Sequence, residues 1–172
     1  MRMKTKITII SVAAVLVLFT IILGRNLIGN TVTGRVHFPK EKVGTILNIG
    51  NKQKYVIFRR LTVDSKNSAD NSPAIFRVTF KFNGLNPAIN KRLSMIPTPF
   101  LIGMEGFREK CWTFNEETGY FQGLYQWESK ETAEKYPDSF IFRLMTKRSI
   151  PGTVSYEILP DTELSEYIQE KI

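Results

Sequence analysis

Cysteine and histidine are almost missing from this chain: Cys111 and His37 are its only ones. One cysteine cannot close an intrachain disulfide, and one Cys with one His falls short of a zinc ligand set. No clustered carboxylates offer a substitute site for a harder cation, so no metal and no other cofactor is expected. Cys111 lies in a predicted strand, where a free thiol behaves as a small buried apolar group. His37 stands in a different segment, which leaves Cys111 without a basic partner as a nucleophile. A basic run is lacking too. The net charge is +8, but Arg2, Lys4, Lys6 and Arg25 flank the N-terminal apolar run, leaving 20 basic against 16 acidic residues, a net of +4. Those 20 include scattered pairs (Arg59-Arg60, Lys91-Arg92, Lys147-Arg148) and form no stripe, which argues against a nucleic-acid partner.

What is present begins with residues 7–24, ITIISVAAVLVLFTIILG, 18 positions without a charge. At 1.5 Å per residue a helix of this length spans roughly 27 Å, close to the ~30 Å hydrocarbon core of a bilayer. A cleavable signal peptide is the rival reading. Its apolar region is shorter and ends in a small-x-small site, whereas Ile22-Leu23-Gly24 puts a large residue first. An uncleaved single-pass anchor is the reading preferred. Three basic residues within the first six positions place the N-terminus in the cytoplasm and the C-terminal domain on the extracytoplasmic side of the cell membrane.

At 172 residues, 42% of them hydrophobic and 12 of them phenylalanine, the chain has material for one domain and an appendage. Residues 45–49 and 55–63 are β-prone runs around a Gly-Asn turn and predict a hairpin that extends or covers a sheet edge. Residues 64–74, DSKNSADNSPA, are small, polar and aperiodic, and mark a boundary near residue 73. Residues 75–82 alternate, with Phe76, Val78, Phe80 and Phe82 on one side. Asn86 then caps a helix with Pro87 at its first position, and Ile89, Leu93 and Ile96 recur at i, i+4 and i+7 as an apolar stripe. Pro97-Thr98-Pro99 must break that helix.

Residues 107–114 and 120–127 predict an aromatic hairpin whose five-residue connection ends in Gly119. Ser129 caps the next helix. Ala133, Tyr136, Phe140 and Leu144 are its expected stripe, and Pro137 predicts a kink or two consecutive segments. Pro151-Gly152 ends it, residues 153–159 alternate as a last strand, and residues 161–172 are able to form a short acidic helix. The chain thus divides into an anchor (1–29), a tether with hairpin and linker (30–73), a core domain (74–160) and a C-terminal tail (161–172). The core order β-α-β-β-α-β predicts an α+β, ferredoxin-like antiparallel sheet with its helices on one face. The other face then needs a cover, and a homodimer is the expected one.

Residues 75–160 resemble the antibiotic-biosynthesis-monooxygenase superfamily of dimeric α+β barrels, and its YdhR-like branch in particular. The likeness lies in the element order, in Glu105-Gly106-Phe107 leading to Cys111-Trp112, and in Gly119-Tyr120-Phe121-Gln122-Gly123-Leu124-Tyr125-Gln126-Trp127 before Ser129-Lys130-Glu131-Thr132-Ala133. The resemblance implies either a protein without known chemistry, a haem-degrading enzyme, or a cofactor-independent oxygenase of aromatic compounds. The haem-degrading pattern wants a histidine in the second helix, and residues 129–148 contain none. The oxygenase pattern implies polar groups in a pocket between sheet and helices, a part that Asn83, Trp112, Tyr125, Trp127 and Arg143 are placed to play.

Two functions follow. One is a membrane-anchored, dimeric module that binds a small aromatic ligand or serves a structural role. The other is a cofactor-independent monooxygenase of a small phenol, which needs a base facing the pocket. A core without histidine leaves only Tyr, Asp or Glu for that base among the residues weighed, so the sequence favours the binding module. Gly123, between the bulky rings of Phe121 and Tyr125, leaves a gap for a planar ligand or for an opposing side chain.

Overall fold

The computed structural model describes residues 34–50, 53–64 and 72–172. The expected anchor, residues 7–24, lies outside them. Among the described residues no helix is long and apolar enough to cross a membrane.

Seven antiparallel strands make one sheet. In chain order they are β1 (Val36–His37), β2 (Ile46–Ile49), β3 (Gln53–Val63), β4 (Ala74–Phe80), β5 (Phe107–Phe114), β6 (Phe121–Trp127) and β7 (Ser155–Pro160). The spatial order is β1-β3-β5-β6-β4-β7, with β2 paired to the start of β3. Strands β5-β6-β4-β7 and their helices are the ferredoxin-like core, as the element order predicts. The N-terminal hairpin extends it: β3 runs along the outer edge of β5, with Ile57 opposite Thr113 and Arg60 opposite Cys111. Residues 53–63 therefore share one sheet with the core across the linker, and part of the expected tether adds the short strand β1, Val36 opposite Val63. A bulge between Ile57 and Arg59 shifts the register, so the two-residue alternation restarts there. Arg59 then stands opposite Trp112, on the face that the main hydrophobic cluster occupies.

The helices follow their caps. Helix α1 (Pro87–Leu93) begins at Asn86, whose side chain accepts the amide of Ile89, and α2 (Thr98–Ile102) follows the proline break. Ser129 opens α3 (Lys130–Glu134) with a capping box shared with Thr132. Pro137 falls in a 3₁₀ turn, Tyr136–Asp138, and Ser139 caps a fresh helix, α4 (Phe140–Arg148), by accepting the amide of Phe142. That second cap corrects one expectation. Ala133 and Tyr136 are buried as the stripe predicts, but the restart turns Ile141 and Phe142 inward and leaves Phe140 and Leu144 exposed. The apolar stripe along α1 faces outward at Ile89 and Ile96, and the buried residue of α1 is Asn90, whose amide donates to the Leu85 carbonyl at 2.8 Å.

The core helices lie on one sheet face, as expected. The C-terminal tail adds helix α5 (Leu164–Lys171) on the opposite face. Leu164, Tyr167 and Ile168, spaced for one side of a helix, close over Leu47, Ile49, Tyr55, Ile57, Ile75, Cys111 and Leu124. The Gln126 side chain reaches through to seat it, accepting the Leu164 amide while donating to the Ala74 carbonyl. Arg77 donates to the Tyr167 hydroxyl at 2.9 Å. The second face, expected to await another copy, carries the chain's own C-terminus.

Candidate functional site

Between the sheet and helices α1 and α4 lies a mostly apolar cavity of about 100 Å³. Strand alternation decides its floor. Lys110 and Trp112 project from β5, and Gly123 and Tyr125 from β6, all on the helix face. Tyr136 enters from the 3₁₀ turn, while Leu93 and Ile96 of the α1 segment and Leu144, Met145 and Arg148 of α4 form the outer wall. The exposed lining residues Ile96 and Leu144 mark the mouth.

Lys110 is the unusual member. It is 5% exposed, and its Nζ lies 4.4 Å from the ring centroids of both Trp112 and Tyr125. No carboxylate pairs with it among the described residues. The two ring faces favour an ammonium, but burial opposes it more strongly, and the nearby Arg59 guanidinium adds repulsion. Together they hold the lysine well below its ordinary value. Arg59 is fixed behind Trp112 by donating to Ser94 Oγ at 2.7 Å and to the Lys91 carbonyl at 3.1 Å, and its centre is 5.7 Å from the Trp112 ring.

Two hydroxyls stand beside the amine. Tyr136 Oη donates to Tyr125 Oη at 3.1 Å, which leaves the Tyr125 hydrogen free to donate elsewhere. Burial pushes both phenols up, so they serve as neutral donors. The Trp112 indole Nε1 is buried and has no hydrogen-bond partner among the described residues. The cavity therefore combines one basic nitrogen with donors on a phenol and an indole, inside apolar walls. Such a set can take a proton from a small acid and hold the resulting anion.

Of the five residues expected from sequence, the cavity brings together Trp112 and Tyr125. Trp127 is fully buried beneath it, 5.5 Å from the Tyr136 ring and 5.6 Å from Phe107, a packing residue instead of a lining one. Asn83 and Arg143 are exposed and outside the lining: Asn83 sits in the turn after β4, and Arg143 on the solvent side of α4. The gap at Gly123 is filled from within. A β-carbon there would come 2.5 Å from Cε2 of Tyr125, because that ring folds across the glycine. Sequence reasoning missed Lys110, Tyr136 and Arg148. The available signal was the register of β5, in which Lys110 shares a side with Trp112 and Phe114, an ionisable group in line with aromatics.

Residues 75–158 match the family model described as "Putative mono-oxygenase ydhR". Three solved structures are similar to parts of this chain. A ferredoxin fold protein from Listeria monocytogenes, described as related to antibiotic biosynthesis monooxygenases, is 10% identical, with a TM-score of 0.48 over 76% of this chain and 94% of that one. A Mycobacterium tuberculosis protein is 17% identical, with a TM-score of 0.39 over 51% and 93%. An anthrone oxidase-like protein is 15% identical, with a TM-score of 0.43 over 64% and 57%. No curated protein matches the chain.

Proposed function

We propose that this chain, whose residues 75–158 match the ydhR family model, is a member of the YdhR-like branch of the antibiotic-biosynthesis-monooxygenase superfamily and a cofactor-independent monooxygenase of a small, one-ring phenol or enol. The observation that carries the reading is Lys110, a buried lysine at the cavity floor with no carboxylate partner among the described residues. It supplies the base that the sequence lacked when only Tyr, Asp and Glu were weighed. Lys110 takes the hydroxyl proton, breaking O–H and forming N–H, while Tyr125 and Trp112 donate to the phenolate. The ring, now electron-rich, gives electrons to dioxygen. For a substrate with an activated CH₂, the carbon and O₂ become a carbonyl and water, so dioxygen is both oxidant and oxygen source. A cavity of about 100 Å³ is on the scale of the ~150 Å³ apolar cavity that holds one benzene, which favours a single ring over a fused system.

The same reading places the domain on the extracytoplasmic side of the cell membrane, tethered by residues 7–24, whose length and flanking charges support a single-pass anchor. The homodimer expected from the sequence enters with a constraint. Helix α5 covers the sheet face that a second copy needs, so self-association through that face requires α5 to leave it.

The test is oxygen uptake by the full chain with a panel of one-ring phenols and enols. Turnover that Lys110→Met abolishes and Tyr125→Phe lowers supports the proposal. Binding of the same compounds without oxygen uptake returns the protein to the second reading, a small-ligand-binding module. That reading draws on the same apolar cavity and its two hydroxyls.

A further inference from the structure

Helices α1 and α4 carry large apolar side chains on their outer surface. Ile89 is 41% exposed, Ile96 52%, Phe140 58% and Leu144 39%. These residues are neighbours: Ile96 and Leu144 form opposite sides of the cavity mouth. The Phe140 ring is 6.2 Å from Phe100 of α2, and Arg148 of α4 reaches Asn90 of α1. Ile89 lies on the same side of α1 as Leu93, and Ile96 follows in the turn after the helix. A mouth ringed by exposed apolar groups calls for a cover.

The charges carried by α1 and α4 themselves have one sign. Residues 84–104 and 139–156 contain no Asp or Glu, yet they hold Lys91, Arg92, Arg143, Lys147 and Arg148. Arg92, Arg143 and Lys147 are exposed. Apolar side chains flanked by arginine and lysine suit the boundary of an anionic bilayer, where the rings and aliphatic chains enter the acyl region and the cations meet phosphate.

The chain also enters on this side. Arg35 shares a surface depression with Ile102, Gly103, Met104 and Glu105, next to α2, and Val36 packs against the helix-face core. Residues 25–33 separate that point from the apolar run, and nine residues, even fully extended, reach only ~30 Å. With the anchor proposed above, that length keeps the entry point at Arg35 within ~30 Å of the lipid.

We infer that the outer surface of α1 and α4 is a membrane-docking face, seated on anionic lipid so that the cavity mouth between Ile96 and Leu144 opens toward the bilayer. Sparingly soluble phenols would enter from the lipid, where they concentrate, and not from water. The inference rests on the anchor and the cavity as proposed above.

The experiment uses the full chain with vesicles of phosphatidylcholine and phosphatidylglycerol, some lipids carrying a nitroxide quencher on the acyl chain. A fluorophore is placed on Ile96→Cys, Leu144→Cys or, as control, Glu170→Cys on α5; Cys111 is fully buried and stays unlabelled. Co-sedimentation reports the anchor independently. Docking predicts loss of about half or more of the emission at positions 96 and 144, since side chains seated ~5–10 Å deep lie among the quenchers. It predicts little loss at 170, and recovery of emission at 96 and 144 when Arg143→Glu and Phe140→Glu are combined with them. Co-sedimentation without quenching at 96 and 144 overturns the docking face and leaves the anchor standing. Failure to sediment overturns both. Shielding at 96 and 144 that rises with protein density and ignores the lipid quencher assigns the surface to a second copy of the chain and also overturns the inference.

Discussion

Replacing Lys110 with methionine keeps the length of an unbranched side chain and removes the nitrogen, so it isolates what the amine does to folding. In the unfolded chain this lysine ionises at an ordinary ~10.4. In the folded chain burial, aided by Arg59, holds it well below that. Between those two pH values the unfolded state binds one proton more than the folded state. Stability of the natural protein therefore rises with pH across the window, by ~1.4 kcal/mol per unit, and levels off above the ordinary value. Below the folded value the penalty of burying the charge is present in full. The methionine variant has no such slope, so it is the more stable protein near neutrality, and its advantage shrinks as pH approaches the ordinary lysine value. For a chain of this size ~1 kcal/mol moves Tm by ~2–4 °C, so the gap between the variants should close by roughly 3–6 °C per unit. Thermal melts of both proteins in parallel from about pH 7 to about pH 10 measure it, and titrations common to both cancel in the difference. A gap that stays constant over that range would refute the argument, because it would mean that Lys110 titrates alike in the folded and unfolded chain.

Three further outcomes are expected. Gly123→Ala forces the Tyr125 ring off its seat, since the new carbon would lie 2.5 Å from Cε2. It should cost about 1–3 kcal/mol in urea denaturation and weaken ligand binding as the Tyr125–Tyr136 contact opens. Ser129→Ala removes the capping box of α3 and should cost about 1 kcal/mol, with Ser129→Thr restoring most of it. Removing residues 161–172 uncovers Leu47, Tyr55, Ile75, Cys111 and Leu124. It should increase self-association and make Cys111, a thiol whose ionisation burial makes harder, react with a thiol reagent. Light scattering and thiol titration read the two effects, and a truncated chain whose size and thiol reactivity match those of the full chain would contradict the role given to α5.

Much of the fold is written in local chemistry. Alternation of Phe76, Val78 and Phe80 sets the face of β4 because a strand has a period of two. Asn86-Pro87 and Ser129 start helices because an accepting side chain, or a residue with no amide to satisfy, suits those positions. The 115–119 connection turns because Asn115 Oδ1 accepts the amides of Glu117 and Thr118, while Gly119 takes a φ of 73°. What escaped the sequence depends on long-range packing. The bulge before Arg59 is fixed by pairing with β5. The second cap at Ser139 turns Phe140 and Leu144 outward against their apparent stripe. Residues 161–172 are legible as a helix, but not as the cover of the second sheet face, because that requires Gln126 and Arg77 to seat it. At the site, two of the expected aromatics, Trp112 and Tyr125, line the cavity, while the buried Trp127 ring packs under Tyr136. Lys110 was legible only by following a single strand face, since a lysine in a strand is ordinarily solvated.

The central claim, that Lys110 is the proton acceptor of a one-ring ligand cavity, is tested most directly with 4-nitrophenol, which is coloured only as its phenolate. It is titrated with the protein at a pH where the free compound remains protonated and colourless. The account predicts that the phenolate band appears on binding, as the proton passes to Lys110 and the anion is held by Tyr125 and Trp112. With Lys110→Met the band should be absent. Bound but colourless nitrophenol, or a band of equal strength in Lys110→Met, would contradict it.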